Sequence, residues 1–440
     1  MLYTILNKAI RIHFVAMTFL FCVATYSFAG TFYVDNISGS DDNPGTKSLP
    51  WETLSKVNSS KFQPGDQILF ARGRIWKEPL VPSSSGVKDS PIIIGAYGTG
   101  EKPIINGSNA SQYTVTMNQS YVTLENLHIT AGPKNNIGHT KYTDNVVIQN
   151  CLIDKAARMG IYTGQSASVN ATNWVIQYNT FQENGTNTTL DHAIYCKYDK
   201  NWVIQNNNFL RNAAFGINLN GTSNSIVRYN YSEGHKAGFM QLFQDTAGPS
   251  SYNQIYYNIS NGDRKFLFVG GGSDHTGNVV YNNTAYNYTY AGLDIENNSN
   301  LSAVSNNIFW STISGSHPYA VNPGSSIKVS SNNDLFMGTI NYNGSSFSSL
   351  AEFKKAYPNL EANSISADPL FVKAGENFEL TADSPCRDKG LNLSLVEDFS
   401  ANFIDTKTNT PDLGAIEYQD DNSEVTLTSP KNLQVVAYNP

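Results

Sequence analysis

A phrase of about six residues returns along most of this chain. It reads NVVIQN at 145–150, NWVIQYN at 173–179, NWVIQNN at 201–207 and NSIVRYN at 224–230. NQIYYN at 253–258 and NVVYNN at 278–283 continue it, and LSAVSNN at 301–307 is its weakest copy. A second phrase follows most copies: GIYTG at 160–164, AIYCK at 193–197, GINLN at 216–220 and GLDIE at 292–296. Copy starts at 145, 173, 201, 224, 253 and 278 give periods of 23 to 29 residues. A drifting period of that size belongs to a solenoid, which grows by stacking rungs and not by starting new cores.

Each copy reads as three short strands separated by turns. In residues 201–220, Trp202 and Ile204 alternate with polar neighbours, as a strand with one buried face requires. An Asn then recurs at a bend: Asn150, Asn179, Asn207, Asn230, Asn258, Asn283 and Asn307. Asn tolerates left-handed backbone, and its amide can bond backbone groups of the adjacent rung. Strands this short exclude a helix bundle, and a propeller needs a repeat of about 40 residues or more. The expected fold is all-β: a right-handed, single-stranded parallel β-helix with an N-terminal helical cap.

The repeats divide the rest. Residues 1–29 read as a secretory signal peptide, with Lys8 and Arg11 before an apolar run from about Phe14 to Tyr26 and small residues at Ser27 and Ala29. The apolar run falls short of the ~20 residues that a membrane anchor needs. Residues 30–110 form the cap and first rungs; Trp51, Leu54 and Val57 follow Pro50 at helical spacing. Residues 111–345 hold the repeats and 346–418 an end segment with a helix expected at 348–357. Residues 419–440 read as a polar tail or the opening of a further domain.

The formal charge is −7, and loss of Lys8 and Arg11 with the signal makes it −9, so a nucleic-acid partner is not expected. Cys151 and Cys196 sit among alternating apolar residues and read as buried thiols, with no zinc spacing anywhere.

TFYVDNISGSDDNPGTKSLPWETL (31–54), FQPGDQILFARG (62–73), ADPLFVKAGENFELTADSPCRDKG (367–390) and PDLGAIEY (411–418) resemble the opening and closing segments of secreted bacterial β-helix proteins of the pectate-lyase-like superfamily. The resemblance implies export to the periplasm, cell surface or medium, a monomer, and an acidic polysaccharide as partner, with calcium as a possible cofactor. Lyases, hydrolases and epimerases share that fold, so it does not choose a reaction. The paired-Asp and Gly-His-Gly motifs of polygalacturonases and the Asp-Pro-His-Asp signature of alginate epimerases are missing.

In that superfamily the working face is the one formed by the GI-type strands and the turns entering them. By alternation Tyr162, Tyr195, Lys197, Asn218, Asn220, Asp294 and Glu296 point outward there. The entering turns carry Arg158, Asp191-His192, Glu233-Gly234-His235-Lys236 and Asp263-Arg264-Lys265. A lyase acting on a uronate needs cations or donors that neutralise the sugar carboxylate, and a base for the acidified C–H. The expected machinery is Lys197 or His192 as base, with His235, Arg264 and Lys265 around the carboxylate. Arg158, Tyr195, Asn218, Asn220 and Lys236 are expected to bind substrate. Asp294 and Glu296 are expected either to hold calcium or to serve as the carboxyl pair of a glycosidase. Each of these residues alone also fits an ordinary solvated turn, and the whole face also fits a non-catalytic sugar-binding surface.

Overall fold

The structure, a computed structural model, describes residues 29–402, 404 and 410–419. The signal segment to residue 28 and nearly all of the 419–440 tail lie outside the described residues. Among the described residues no helix is long and apolar enough to cross a membrane.

The chain winds into a parallel β-solenoid of about ten turns. Three long sheets run its length, one of 12 strands and two of 11. Rung-to-rung register is strict where the repeats are strongest: Val175, Ile176 and Gln177 pair with Val203, Ile204 and Gln205, and those with Ile226, Val227 and Arg228. Inward columns follow from that register. Ile161, Ile194, Ile217, Met240, Leu267 and Leu293 stack on one sheet, each fully buried. Fully burying such a side chain is worth about 1.5–3 kcal/mol, so each added rung contributes its own stabilisation.

The bend after the first strand is built by amides. Asn207 Nδ2 donates to Ile176 O (2.8 Å) and to Asn230 Oδ1 (3.0 Å), while its own Oδ1 accepts from Asn179 N at 2.9 Å. Asn230, Asn258, Asn283 and Asn307 repeat the pattern, and the row ends where Asn333 donates to Glu361 at 3.0 Å. Two details differ from the sequence reading. The left-handed residue is the one before the ladder Asn, such as Tyr178, Asn206 or Tyr229. Asn150 is one of these, and Cys151 takes the ladder position in its rung, its N–H bonding Asn179 Oδ1. The solenoid separates the two tasks: one residue turns the chain, and its neighbour satisfies the backbone groups that the turn frees.

The expected helix near Trp51 begins later, at Leu54–Ser59, capped by Thr53, with Leu54 and Val57 buried. Trp51 is also buried, but as a bridge partner of Val34. The second helix is Leu350–Ala356. Just before it the sheet of GI-type strands closes antiparallel, Ile340–Tyr342 against Ser345–Phe347. Cys151, Cys196 and Cys386 are free and buried.

Candidate active site

The GI-type strands of successive rungs are Ile161–Tyr162, Ile194–Lys197, Phe215–Asn220, Gly238–Phe243, Lys265–Gly270 and Ala291–Ile295. Their register sets two outward columns. Tyr162, Tyr195, Asn218, Gln241, Phe268 and Asp294 form one. Lys197, Asn220, Phe243 and Gly270 form the other. Neighbours within a column are about 4.8 Å apart. Residues of both columns and of the entering turns line a cleft of about 540 Å³.

One wall is aromatic. Tyr162, Tyr195 and His192 stack in series, each pair 5.5 Å apart and 8° from parallel. Phe215, Phe243 and Phe268 continue the apolar lining. The partly exposed rings here, Tyr162, Tyr195, Phe243 and Phe268, are suited to the faces of sugar rings. Gly238 allows close packing between strands beneath this wall: a side chain there would sit 2.7 Å from Lys265 O and 2.9 Å from the Phe215 ring.

The cations are mostly paired. Arg158 Nε lies 3.1 Å from Asp191, Lys197 Nζ 2.7 Å from Asp245, and Lys265 Nζ 2.5 Å from Asp294. Lys265 also lies over the rings of Phe268 (4.4 Å) and Tyr290 (5.4 Å). Arg264 is over Tyr290 at 5.2 Å. Among the described residues it is the cleft cation with no carboxylate at ion-pair distance.

Burial and charge set the protonation states. Burial lowers the His192 pKa to about 3, so its ring is neutral. Both its nitrogens are engaged: Phe215 N–H is 3.3 Å from Nδ1, and the Asn218 amide 3.0 Å from Nε2. Burial raises the Tyr195 hydroxyl, with Lys197 and an Asn220 hydrogen bond (2.9 Å) opposing. Burial also opposes the charges of Asp245 and Lys197. Their mutual bond, together with contacts from Ala247 and Asn220 to Asp245 and from Tyr195 and Tyr198 to Lys197, outweighs it, holding Asp245 low and Lys197 high. Asp294 is raised by burial, which Lys265 offsets only in part.

Seven of the twelve residues expected at the site line this cleft: Arg158, His192, Tyr195, Asn218, Asn220, Arg264 and Lys265. Lys197 reaches it through Asp245. His235 does not. Its side chain is fully buried, with Nδ1 2.8 Å from Asp263 and Nε2 3.1 Å from Asn212. There it ends a second amide row, Asn136–Asn184–Asn212, unseen in the sequence. Inward Ser232 and Ser260 bond the same Asp263, so a polar pocket draws the imidazole inside. Lys236 is exposed beside the cleft and outside its lining. Asp294 is wholly buried behind Lys265, and Glu296 is half-buried. Among the described residues no three His, Cys, Asp or Glu side chains are grouped to hold a metal.

Of the rings expected to stack on sugar, Phe268 lines the cleft and Phe266 is buried in the core, whereas Gln241, Phe215 and Phe243 were not anticipated. Phe215 stands just ahead of the GINLN phrase. Gln241 and Phe243 lie in GFMQLFQD, which is apolar or long at every position, so alternation gives no direction. Pairing to Asn218 and Asn220 supplies it.

No protein-family model matches the sequence. A 209-residue stretch, 40% of the chain, is 31% identical to a lacto-N-biosidase of Bifidobacterium longum subsp. longum and spans 13% of that enzyme. The Eubacterium ramulus lacto-N-biosidase of family GH136 superposes over 70% of this chain and 64% of its own, with a TM-score of 0.53 and 17% identity. XylC in complex with xylose superposes over 88% of the chain and 98% of its own (0.61, 12%). An alginate lyase of Paenibacillus sp. str. FPU-7 covers 71% and 99% (0.50, 15%). The chain shares their fold. A hydrolase and a lyase both stand among these structures, so choice of reaction rests on the cleft itself.

Proposed function

We propose that this β-helix cleaves an acidic, uronate-containing polysaccharide by β-elimination in the cleft above the GI-type strands. The observation that carries the reading is the convergence of Arg264, Lys265, Arg158 and Lys197 with a three-ring stack on one groove, in a chain whose net charge is −7. Three of these cations are ion-paired and Arg264, among the described residues, is not, so the groove keeps a local positive excess on an acidic protein, which favours an anionic ligand there.

In the reaction the proton on the carbon bearing the carboxylate is removed. The bond from the next carbon to the glycosidic oxygen breaks, a carbon–carbon double bond forms, and the departing oxygen takes up a proton. The cationic groups stabilise the charge that builds on the carboxylate. His192 has both nitrogens engaged, so the proton transfers fall to Tyr195, whose ionised form Lys197 favours. Asp245 keeps Lys197 a cation, which fits it for support and not for the base role expected from sequence. Because the Tyr195 pKa lies above its usual value of 10.0, kcat/KM is expected to climb from neutral into alkaline pH. A polymeric substrate is consistent with the export expected of residues 1–29.

Glycoside hydrolysis is the second reading, favoured by the stretch of sequence shared with a lacto-N-biosidase. It calls for two carboxyls flanking the bond. Asp245 is the one carboxylate lining the cleft among the described residues, and Lys197 holds it.

Incubation with pectate, alginate and glycosaminoglycans, with and without calcium, separates the readings. Growth of ultraviolet absorbance from an unsaturated sugar is expected. New reducing ends without that absorbance support hydrolysis, and binding with no product supports an adhesion protein.

A further inference from the structure

Two carbonyl oxygens in the cleft, Asn218 Oδ1 and Asn220 Oδ1, are buried with no hydrogen-bond donor. A buried acceptor without a donor is costly, so each demands a reason. For Asn220 the donor side is consistent: its Nδ2 bonds Tyr195 Oη at 2.9 Å. For Asn218 it is not.

The contradiction lies in its partner. A neutral imidazole has one donor and one acceptor nitrogen. The Phe215 N–H points at His192 Nδ1, which therefore accepts. The ring proton is then on Nε2, and Nε2 donates. If Asn218 Nδ2 faced it at the observed 3.0 Å, two N–H groups would oppose one another while Oδ1 stayed buried and bare. The two ends of an amide have nearly the same shape, and the surrounding network decides between them. Half a turn of the Asn218 amide turns the opposed pair into a hydrogen bond, Nε2–H donating to Oδ1, and leaves the NH₂ as the one unpaired group, on the cleft side.

We infer that Asn218 presents its NH₂ to the substrate as a carboxylate donor, and that His192 is the positioning residue that holds it so. The inference rests on the uronate reading above for its ligand, but not for the orientation of the amide. Asn218 sits in the outward column between Tyr195 and Gln241, in the middle of the cleft. Lys197, Lys265 and Arg158 each spend charge on a carboxylate already present. Arg264 does not, so it and the Asn218 NH₂ form the donor set left for an incoming carboxylate. A neutral donor beside one free cation selects an acidic sugar over the matching alcohol without creating a deep cationic trap.

Two measurements test this separately. Imidazole ¹⁵N spectra of histidine-labelled protein, with His192 assigned by its loss in His192→Gln, are expected to show the neutral Nε2–H form at neutral pH. The Nδ1–H form or a charged ring overturns the assignment, whatever the protein acts on. Calorimetric titration of trigalacturonate and of its carboxyl-reduced counterpart into wild type and Asn218→Asp forms the second arm. Asn218→Asp is expected to weaken the acid by about tenfold or more, the loss of one charge-assisted hydrogen bond, and to leave the alcohol within about twofold. Equal affinity of both proteins for the acid overturns the donor role. Failure of wild type to bind any uronate trimer, repeated with mannuronate and guluronate, overturns the uronate reading, and the spectra still decide the amide.

Discussion

The two kinds of bend in each rung treat polar groups in opposite ways. At the first bend the same residue type returns rung after rung, and Asn179 through Asn333 spend their amides on backbone groups and on each other. At the turn entering the GI-type strand a short buried row, Asn184–Asn212–His235, lies behind. The cleft-side residues there change from rung to rung: Arg158, then Asp191-His192, then Ala213-Ala214, then Lys236-Ala237, then Arg264-Lys265. The groups they face are left incompletely satisfied, with Asn218, Asn220 and Asp294 all carrying buried oxygens short of donors. Repetition with full satisfaction marks the scaffold. Variation with unspent hydrogen-bonding capacity marks the surface kept for a ligand.

Substitution at the first bend breaks this contrast most severely. Asn207→Ala removes bonds to Ile176 O, Gln205 O, Asn230 and Asn179 in one step. A loss of about 3–5 kcal/mol in urea unfolding is expected, with turnover per folded molecule unchanged.

His192 tests the other side through pH. Its folded pKa of about 3 is below the ordinary 6.5, so the unfolded chain binds the extra proton first as pH falls. Its contribution is complete above about pH 6.5 and drains away towards pH 3, by up to about 4 kcal/mol. The stability gap between wild type and His192→Gln is therefore expected to narrow steadily over that window in acid unfolding curves.

Lys265→Met leaves Asp294 buried without its ion-pair partner and is expected to cost about 3 kcal/mol. Adding Asp294→Asn restores most of the stability and none of the activity, which thermal melts and rate assays together resolve. Lys236→Ala stands at the small end: an exposed cation outside the cleft lining, it is expected to change stability by less than about 0.5 kcal/mol and leave rate untouched.

The scaffold was legible in the sequence because period, alternation and the recurring Asn all state one thing. Even there the turning residue and the ladder residue were merged, since both are often Asn and adjacent. The cleft was legible where strands alternate, as in AIYCK and GINLN, and opaque in GFMQLFQD and RKFLFVG, whose side chains give no facing. His235 was misplaced for a different reason. Its turn looks like its neighbours, and only the inward Ser232, Ser260 and Asp263, contributed by two rungs, show that it belongs inside. A partner set spread over rungs of unequal length has no signature in one sequence.

The most direct test of the central claim is mass spectrometry of the chain ends released from a uronate polymer by the wild-type protein and by Tyr195→Phe. An unsaturated end, one water lighter than a hydrolytic end, is expected from wild type, and its rate is expected to fall about 100-fold or more in Tyr195→Phe with the fold intact. Saturated ends, or unsaturated ends formed equally fast by Tyr195→Phe, contradict the account.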